Sequence, residues 1–174
     1  MAMAVSTPDP VTAARQAAAT VTDPEMPMLS LVDLGVLRDV HADADGSIIV
    51  TITPTYSGCP AMATMRADLR RALESAGFDH VDVRTVLAPA WTSDWITPSG
   101  RRKLEEHGIA PPQSVPAAST GPIPLTLTPR RPMVQCPQCG SFDTQLTSAF
   151  GSTACKALHR CRSCGEPFDR IKEI

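Results

Sequence analysis

Two Cys-x-x-Cys-Gly steps constrain this chain more than any other feature. They are Cys136-Pro137-Gln138-Cys139-Gly140 and Cys161-Arg162-Ser163-Cys164-Gly165. Two thiolates three residues apart in a tight turn can face one ion. The glycine after each pair lets backbone amides approach the sulfurs. Four such thiolates complete a tetrahedral Zn²⁺ site and leave no open coordination position, which points to a folding role rather than catalysis. Iron in a rubredoxin-like site, or an iron–sulfur cluster, would use the same donors. Two disulfides or free thiols are the reading that ignores the paired spacing. Cys155 and His159 lie between the two steps and could serve as spare or exchanging ligands. As ordinary residues they are expected to be a buried cysteine and a surface histidine.

The rest of the chain must build its own core. Its 174 residues suffice for one domain and a small satellite. With 43% hydrophobic and 20% charged residues the chain is globular, but aromatics at 4% imply a thin, two-layer core filled by Ala and Val. Residues 1–128 hold nine Lys/Arg against fourteen Asp/Glu, and residues 129–174 hold seven against four. The basic excess of the tail suits an acidic surface and falls short of the concentrated patch that nucleic acid calls for. No run approaches the roughly 18 apolar residues of a membrane span. The N-terminus lacks a basic start followed by an apolar stretch, so no secretory signal is expected. Metal-type cysteine spacing favours a reducing compartment, and a cytoplasmic location is expected.

A first helix is expected from about Pro10 to Thr20, capped by Asp9, with Val11, Ala14 and Ala18 on one face. The two prolines of Asp23-Pro24-Glu25-Met26-Pro27 impose a stiff acidic loop. Strands over Val36–Ala42 and Ser47–Thr53 flank an Asp45-Gly46 hairpin turn, with Ile48, Val50 and Ile52 alternating as in a half-buried strand. A helix follows Pro60, with an apolar stripe of Met62, Met65, Leu69, Leu73 and Ala76, and Gly77 ends it. A strand over His80–Leu87 completes a strand–helix–strand unit, hence a parallel pairing. Ser99 or Gly100 opens a short helix through Glu106, closed by Gly108. The seven prolines within residues 111–132 predict a semi-extended linker or surface strap. The domains expected are therefore 8–110, a small mixed-sheet α/β domain; 111–132, the linker; and 133–174, the four-Cys module.

Outside the cysteine pairs the chemistry is sparser. Cys59 follows Gly58 and precedes Pro60, a favoured first helical residue. Its sulfur is expected at a helix N-terminus, where the dipole and free amides stabilise a thiolate; the alternative is a packed, inert cysteine. Asp23, Glu25 and Asp33 could form a carboxylate cluster, but caps and loop charges explain them more simply. Trp91 and Trp95 suit a ligand or partner surface as well as a core. No Gly-rich phosphate loop, nucleophile elbow or Glu-x-x-His pair is present.

Taken together these motifs resemble a known family. Asp23-Pro24-Glu25-Met26-Pro27, Asp33-Leu34-Gly35 and Thr53-Pro54-Thr55-Tyr56-Ser57-Gly58-Cys59-Pro60 are similar to the domain shared by SufT-type iron–sulfur assembly proteins and cytosolic iron–sulfur targeting factors. Pro89-Ala90-Trp91-Thr92-Ser93-Asp94-Trp95, Gly108-Ile109-Ala110-Pro111-Pro112, Phe150-Gly151-Ser152-Thr153-Ala154-Cys155-Lys156-Ala157-Leu158 and Glu166-Pro167-Phe168 narrow the resemblance to the PaaD (PaaJ) family, an accessory component of phenylacetyl-CoA epoxidase systems. The resemblance covers about residues 20–170. It implies aerobic phenylacetate breakdown, in which other subunits form the di-iron oxygenase and a reductase carries a flavin and a [2Fe–2S] cluster. The PaaD component would then be accessory rather than an enzyme. It would assist maturation of a metal centre, with the reductase, other epoxidase subunits and the iron–sulfur assembly machinery as partners. A transient iron–sulfur cluster on Cys59, completed by Cys155, Glu25, Asp23 or a partner, and a structural zinc are the cofactors expected on this reading. The alternative is a structural or docking subunit of the oxygenase complex. The ending Ile171-Lys172-Glu173-Ile174 adds no further Cys or His, so no extra tail ligand is implied.

Overall fold

A computed structural model of the chain describes residues 9–113 and 133–174. These residues divide into two compact units. One reaches to Trp91 and adds Trp95–Gly100; the other consists of Thr92–Asp94 and the residues from Arg101 onward. The residues expected to form the proline-rich linker lie, from residue 114 to 132, outside the described residues.

The first unit starts with helix α1, Pro10–Ala19. The Asp9 carboxylate accepts from Thr12 N at 3.2 Å, and Pro10 takes the first helical position, where a missing N–H costs nothing. Ala14 and Ala18 are fully buried, so small side chains set how closely the helix approaches strand β1. Strands β1 (Leu37–Ala42) and β2 (Ile48–Ile52) are antiparallel, and β3 (Val81–Thr85) adds parallel to β2. The sheet order is β1-β2-β3, as the strand–helix–strand pattern implies.

The expected alternation in β2 is too simple. Ile49 is 2% exposed, as deeply buried as Ile48 and Val50, because a central strand is covered on both faces. At the edge, β3 buries only Val83 deeply and turns Asp82 and Arg84 outward as an ion pair, which blunts the edge against further pairing.

Helix α2 spans Met62–Ser75 and packs against β3 and α1. Met65, Leu69 and Leu73 form its buried stripe; Met62 is only half-buried and Ala76 is exposed, so the stripe is narrower than the sequence suggests. Each fully buried leucine contributes roughly 2 kcal/mol relative to exposure. Gly77, at φ +93°, ends the helix as Phe78 N bonds back to Leu73 O at 3.1 Å.

Helix α3, Pro98–Glu106, begins one residue earlier than expected. Thr97 Oγ1 accepts from Gly100 N at 3.0 Å and caps it, with Pro98 at the first helical position. The division between units falls inside this helix, so residues 101–110 group with the second unit rather than the first. Pairing explains this: Ala110 N donates to Asp169 O at 2.8 Å and Ala110 O accepts from Ile171 N at 3.0 Å, a parallel bridge onto the last strand.

The second unit is a three-stranded antiparallel sheet of β4 (Thr144–Ser148), β5 (Lys156–Cys161) and β6 (Pro167–Ile171), in that order. Its small core is Ala110, Val134, Cys136, Cys161 and Phe168. Two of those five are cysteines of the Cys-x-x-Cys steps, so the core and the sulfur site are one structure. No helix among the described residues is long and apolar enough to cross a membrane.

Candidate metal centre and the Cys59 loop

The two cysteine steps fold alike. In the first, Gly140 N bonds Cys136 O at 2.9 Å, and Cys136 N bonds Ser141 O at 2.9 Å. In the second, Gly165 N bonds Cys161 O at 3.0 Å, and Cys161 N bonds Glu166 O at 2.9 Å. Gly140 and Gly165 both take positive φ, +73° and +82°, which turns each loop tightly enough to aim both of its sulfurs the same way. The hydroxyls of Ser141 and Ser163, 2.7 Å apart, tie one turn to the other.

The four sulfurs lie within 4.8 Å of one another, with Cys136–Cys164 at 3.8 Å and Cys139–Cys161 at 3.6 Å. A tetrahedral ion with ~2.3 Å metal–sulfur bonds requires sulfurs about 3.8 Å apart, so the donor set fits such an ion without rearrangement. Cys136 and Cys161 are buried, while Cys139 and Cys164 face solvent. Among the described residues this is the one group of three or more Cys, His, Asp or Glu side chains placed to hold a metal.

Backbone amides tune the sulfurs unequally. The amide of Cys164 donates to Cys161 and, against its burial, draws that thiol down to about 6. Cys139 accepts from the amide of Ser141, but hydrogen bonds to Cys161 and Cys164 push it up to about 12. Cys164 accepts from the amide of Glu166, yet its burial and its contacts with Cys161 and Cys136 leave it raised. A divalent ion must displace the remaining protons, so loading at neutral pH is expected to release the protons of Cys139 and Cys164. Affinity should fall as pH falls, and fall further below about 6, where Cys161 is protonated too. Calorimetry in buffers of different ionisation enthalpy checks the proton release, and chelator competition at about pH 5 against neutral pH checks the sign.

The neighbours of the cluster differ from expectation. His159 is 6% exposed rather than a surface side chain, because its ring stacks on Phe168 with centroids 5.7 Å apart. Burial first, then the charge of Arg170, holds it below the ordinary imidazole value. Cys155 is half-buried, with Thr153 Oγ1 at 3.1 Å from its sulfur.

In the first unit, Cys59 is half-buried, in a loop whose preceding residues Tyr56, Ser57 and Gly58 are exposed. It sits farther from the helix than expected. Pro60 and Ala61 form a turn in which Met62 N reaches Cys59 O at 3.3 Å, and α2 begins at Met62. Asp23 is 5% exposed and acts as a loop cap: its Oδ1 accepts from Glu25 N and Met26 N, both at 2.8 Å. Glu25 is exposed. Asp33 also ties backbone, its carboxylate accepting from Ser30 N at 3.1 Å and Ser30 Oγ at 2.9 Å.

The Asp33-Leu34-Gly35 turn is a saddle for Trp91 and residues 95–100. Trp91 Nε1 donates to Leu34 O at 2.9 Å, and Thr97 N donates to Asp33 O at 2.9 Å. Trp91 is 4% exposed, which removes it from any partner surface. Trp95 is half-buried and carries the Arg38 guanidinium 3.5 Å above its ring.

Comparison with known proteins follows the same two-part division. Residues 12–85 match the family described as iron-sulfur cluster assembly protein, and residues 121–172 match the PaaD zinc beta ribbon domain. The PaaD-type component of 1,2-phenylacetyl-CoA epoxidase from Escherichia coli is 47% identical over 154 residues, covering 88% of this chain and 87% of that protein. An Fe-S protein maturation auxiliary factor from Porphyromonas gingivalis is 35% identical over 86 residues, 49% of this chain and 81% of that protein. A crystal structure of domain of unknown function DUF59 from Bacillus anthracis superposes with a TM-score of 0.51 at 25% identity, over 55% of this chain and 91% of that one. With an iron–sulfur-assembly-type unit joined to a four-cysteine ribbon, and identity that runs through both, this chain belongs to the PaaD family of phenylacetyl-CoA epoxidase components.

Proposed function

We propose that this chain is a non-catalytic accessory component of a phenylacetyl-CoA epoxidase system, acting in the cytoplasm to place or keep an iron–sulfur cluster in the partner reductase. One observation carries the reading: the chain has two sulfur settings of opposite character. Cys136, Cys139, Cys161 and Cys164 close a tetrahedron on themselves, which suits a structural zinc and offers no entry for a recipient's ligand. Cys59 is not part of that cluster; it is half-buried behind an exposed loop of the unit that matches iron–sulfur assembly proteins.

A carrier needs a sulfur that can join a cluster and release it. One cysteine cannot hold a cluster alone, so the site is completed by the partner, a second chain or a carboxylate such as Glu25. Asp23 shapes the neighbouring loop through its two amide contacts rather than by ligating. Zinc in the ribbon rather than iron follows from its closed, redox-silent role. The direct partners on this reading are the iron–sulfur reductase and the assembly machinery.

Reconstituting epoxidation from the other purified subunits, with and without this chain, tests the accessory role. With a reductase already loaded with its cluster, turnover should not depend on the chain. A stoichiometric requirement for it in that mixture would instead make it a docking component of the oxygenase.

A further inference from the structure

The second unit holds a cavity that the metal site does not use. It has a volume of about 630 Å³ and is lined by, among others, Thr144, Gln145, His159, Arg162, Arg170 and Lys172. The sheet register explains why these groups converge. Ala157 and His159 are two apart on β5 and so share a face, and Arg170 on β6 stands directly opposite Ala157. Lys172 follows two residues further along the same chain. Among the described residues no carboxylate lines the cavity, while three permanent or near-permanent cations do.

Two of the lining side chains are buried with hydrogen-bonding capacity left over. Arg170 is 5% exposed and His159 is 6% exposed. Arg170 Nε and His159 Nδ1 are buried with no hydrogen-bond partner. The other end of Arg170 is engaged, since Nη2 meets the Glu173 carboxylate. Arg162 and Lys172 have only neutral partners: Arg162 Nε and Nη2 both donate to Gln145 Oε1, at 3.2 and 2.9 Å, and Lys172 Nζ donates to Ala154 O at 2.8 Å. Buried polar atoms are normally satisfied, so orphaned nitrogens on two adjacent buried side chains call for an explanation. A solvated surface would not account for them, and neither would the sulfur cluster, whose donors are already matched to one another.

We propose that this cavity is a binding site for an oxyanion, a phosphate or carboxylate group carried by a small organic molecule. The volume is that of a small-molecule site. The guanidinium groups of Arg162 and Arg170 present the planar donor geometry that such oxyanions accept. Leu146 and Ala157 on the same wall supply apolar contact for the organic part. The site does not depend on the maturation role proposed above.

The test uses the full-length, zinc-loaded protein at constant ionic strength. Inorganic phosphate, pyrophosphate, acetate and citrate are titrated separately while the Arg170 Nε–H and His159 ring resonances are followed by NMR. The expected result is saturable shifts of both residues below about 10 mM of at least one anion. Saturation by the phosphates assigns a phosphate group as the ligand, and saturation by acetate or citrate alone assigns a carboxylate. Lys172→Gln and Arg162→Gln, both more exposed than Arg170 and each checked for retained zinc, should weaken the binding about tenfold. Shifts that stay linear and small for all four anions overturn the proposal. So does binding that is equally tight in both variants.

Discussion

Changing Cys136, Cys139, Cys161 or Cys164 to Ser is expected to release the metal and unfold residues 133–174 while leaving the sheet β1-β2-β3 and its helices intact. Of the five residues in the second unit's core, Cys136 and Cys161 are two, so little apolar surface remains to hold the strands once the ion is gone. A structural zinc contributes on the order of 10 kcal/mol to a module of this kind, more than the core can replace. Serine oxygen is a poor substitute for thiolate, and the closed site has no alternative donor. The buried positions, Cys136 and Cys161, should be the most severe because each also leaves a polar group in the core. Metal analysis should give one equivalent in the parent and none in the variants. Amide exchange should lose protection in β4, β5 and β6 and keep it in β2. A variant that loses its metal yet keeps β5 protected would show that the ribbon folds without an ion.

Gly35→Ala is expected to destabilise the first unit by about 3 kcal/mol, adding left-handed strain to a backbone collision. Gly35 has φ +67°, and a Cβ there would lie 2.6 Å from both Trp95 Cβ and Trp95 O. Backbone atoms cannot rotate away, so either the turn or the 95–100 segment must move. Gly46→Ala separates the two effects: φ is +85°, but a Cβ would meet nothing within 4 Å. It should therefore cost only about 1 kcal/mol, the strain alone. Denaturant midpoints of the two variants supply the comparison, and tryptophan fluorescence should report the displaced Trp95 in Gly35→Ala. Equal losses in the two variants would mean that the saddle under Trp95 contributes nothing.

The elements legible in the sequence are those whose local and tertiary demands agree. Asp9-Pro10 starts α1, Gly77 ends α2, and the two Cys-x-x-Cys-Gly turns assemble one sulfur cluster. The strands of the ribbon were not legible, for a physical reason. Lys156, His159 and Arg170 are buried there, so polar letters occupy inward positions and hide the alternation that marks a strand. His159 reads as a surface residue for the same reason, and only its stacking on Phe168 shows otherwise. Ile49 is hidden differently, since period-two reasoning assigns one face to water and a central strand has none to give. Trp91 and the Asp33-Leu34-Gly35 turn lie far apart in sequence, so nothing local reveals that they form one saddle. The placement of Cys59 illustrates a boundary effect. Pro60 is compatible with a first helical turn, but here it sits in the preceding turn and leaves Cys59 short of the helix.

The central claim is that Cys59 serves cluster delivery while the four-cysteine ribbon serves structure. The most direct measurement is the [2Fe–2S] content of the epoxidase reductase purified from cells growing with the parent chain or with Cys59→Ser. Iron, labile sulfide and the electron paramagnetic signal of the reduced protein would be read together. The account predicts that Cys59→Ser leaves this chain folded with its ribbon metal in place, lowers reductase cluster occupancy and slows growth on phenylacetate. A fully loaded reductase and normal growth in the Cys59→Ser cells would contradict it.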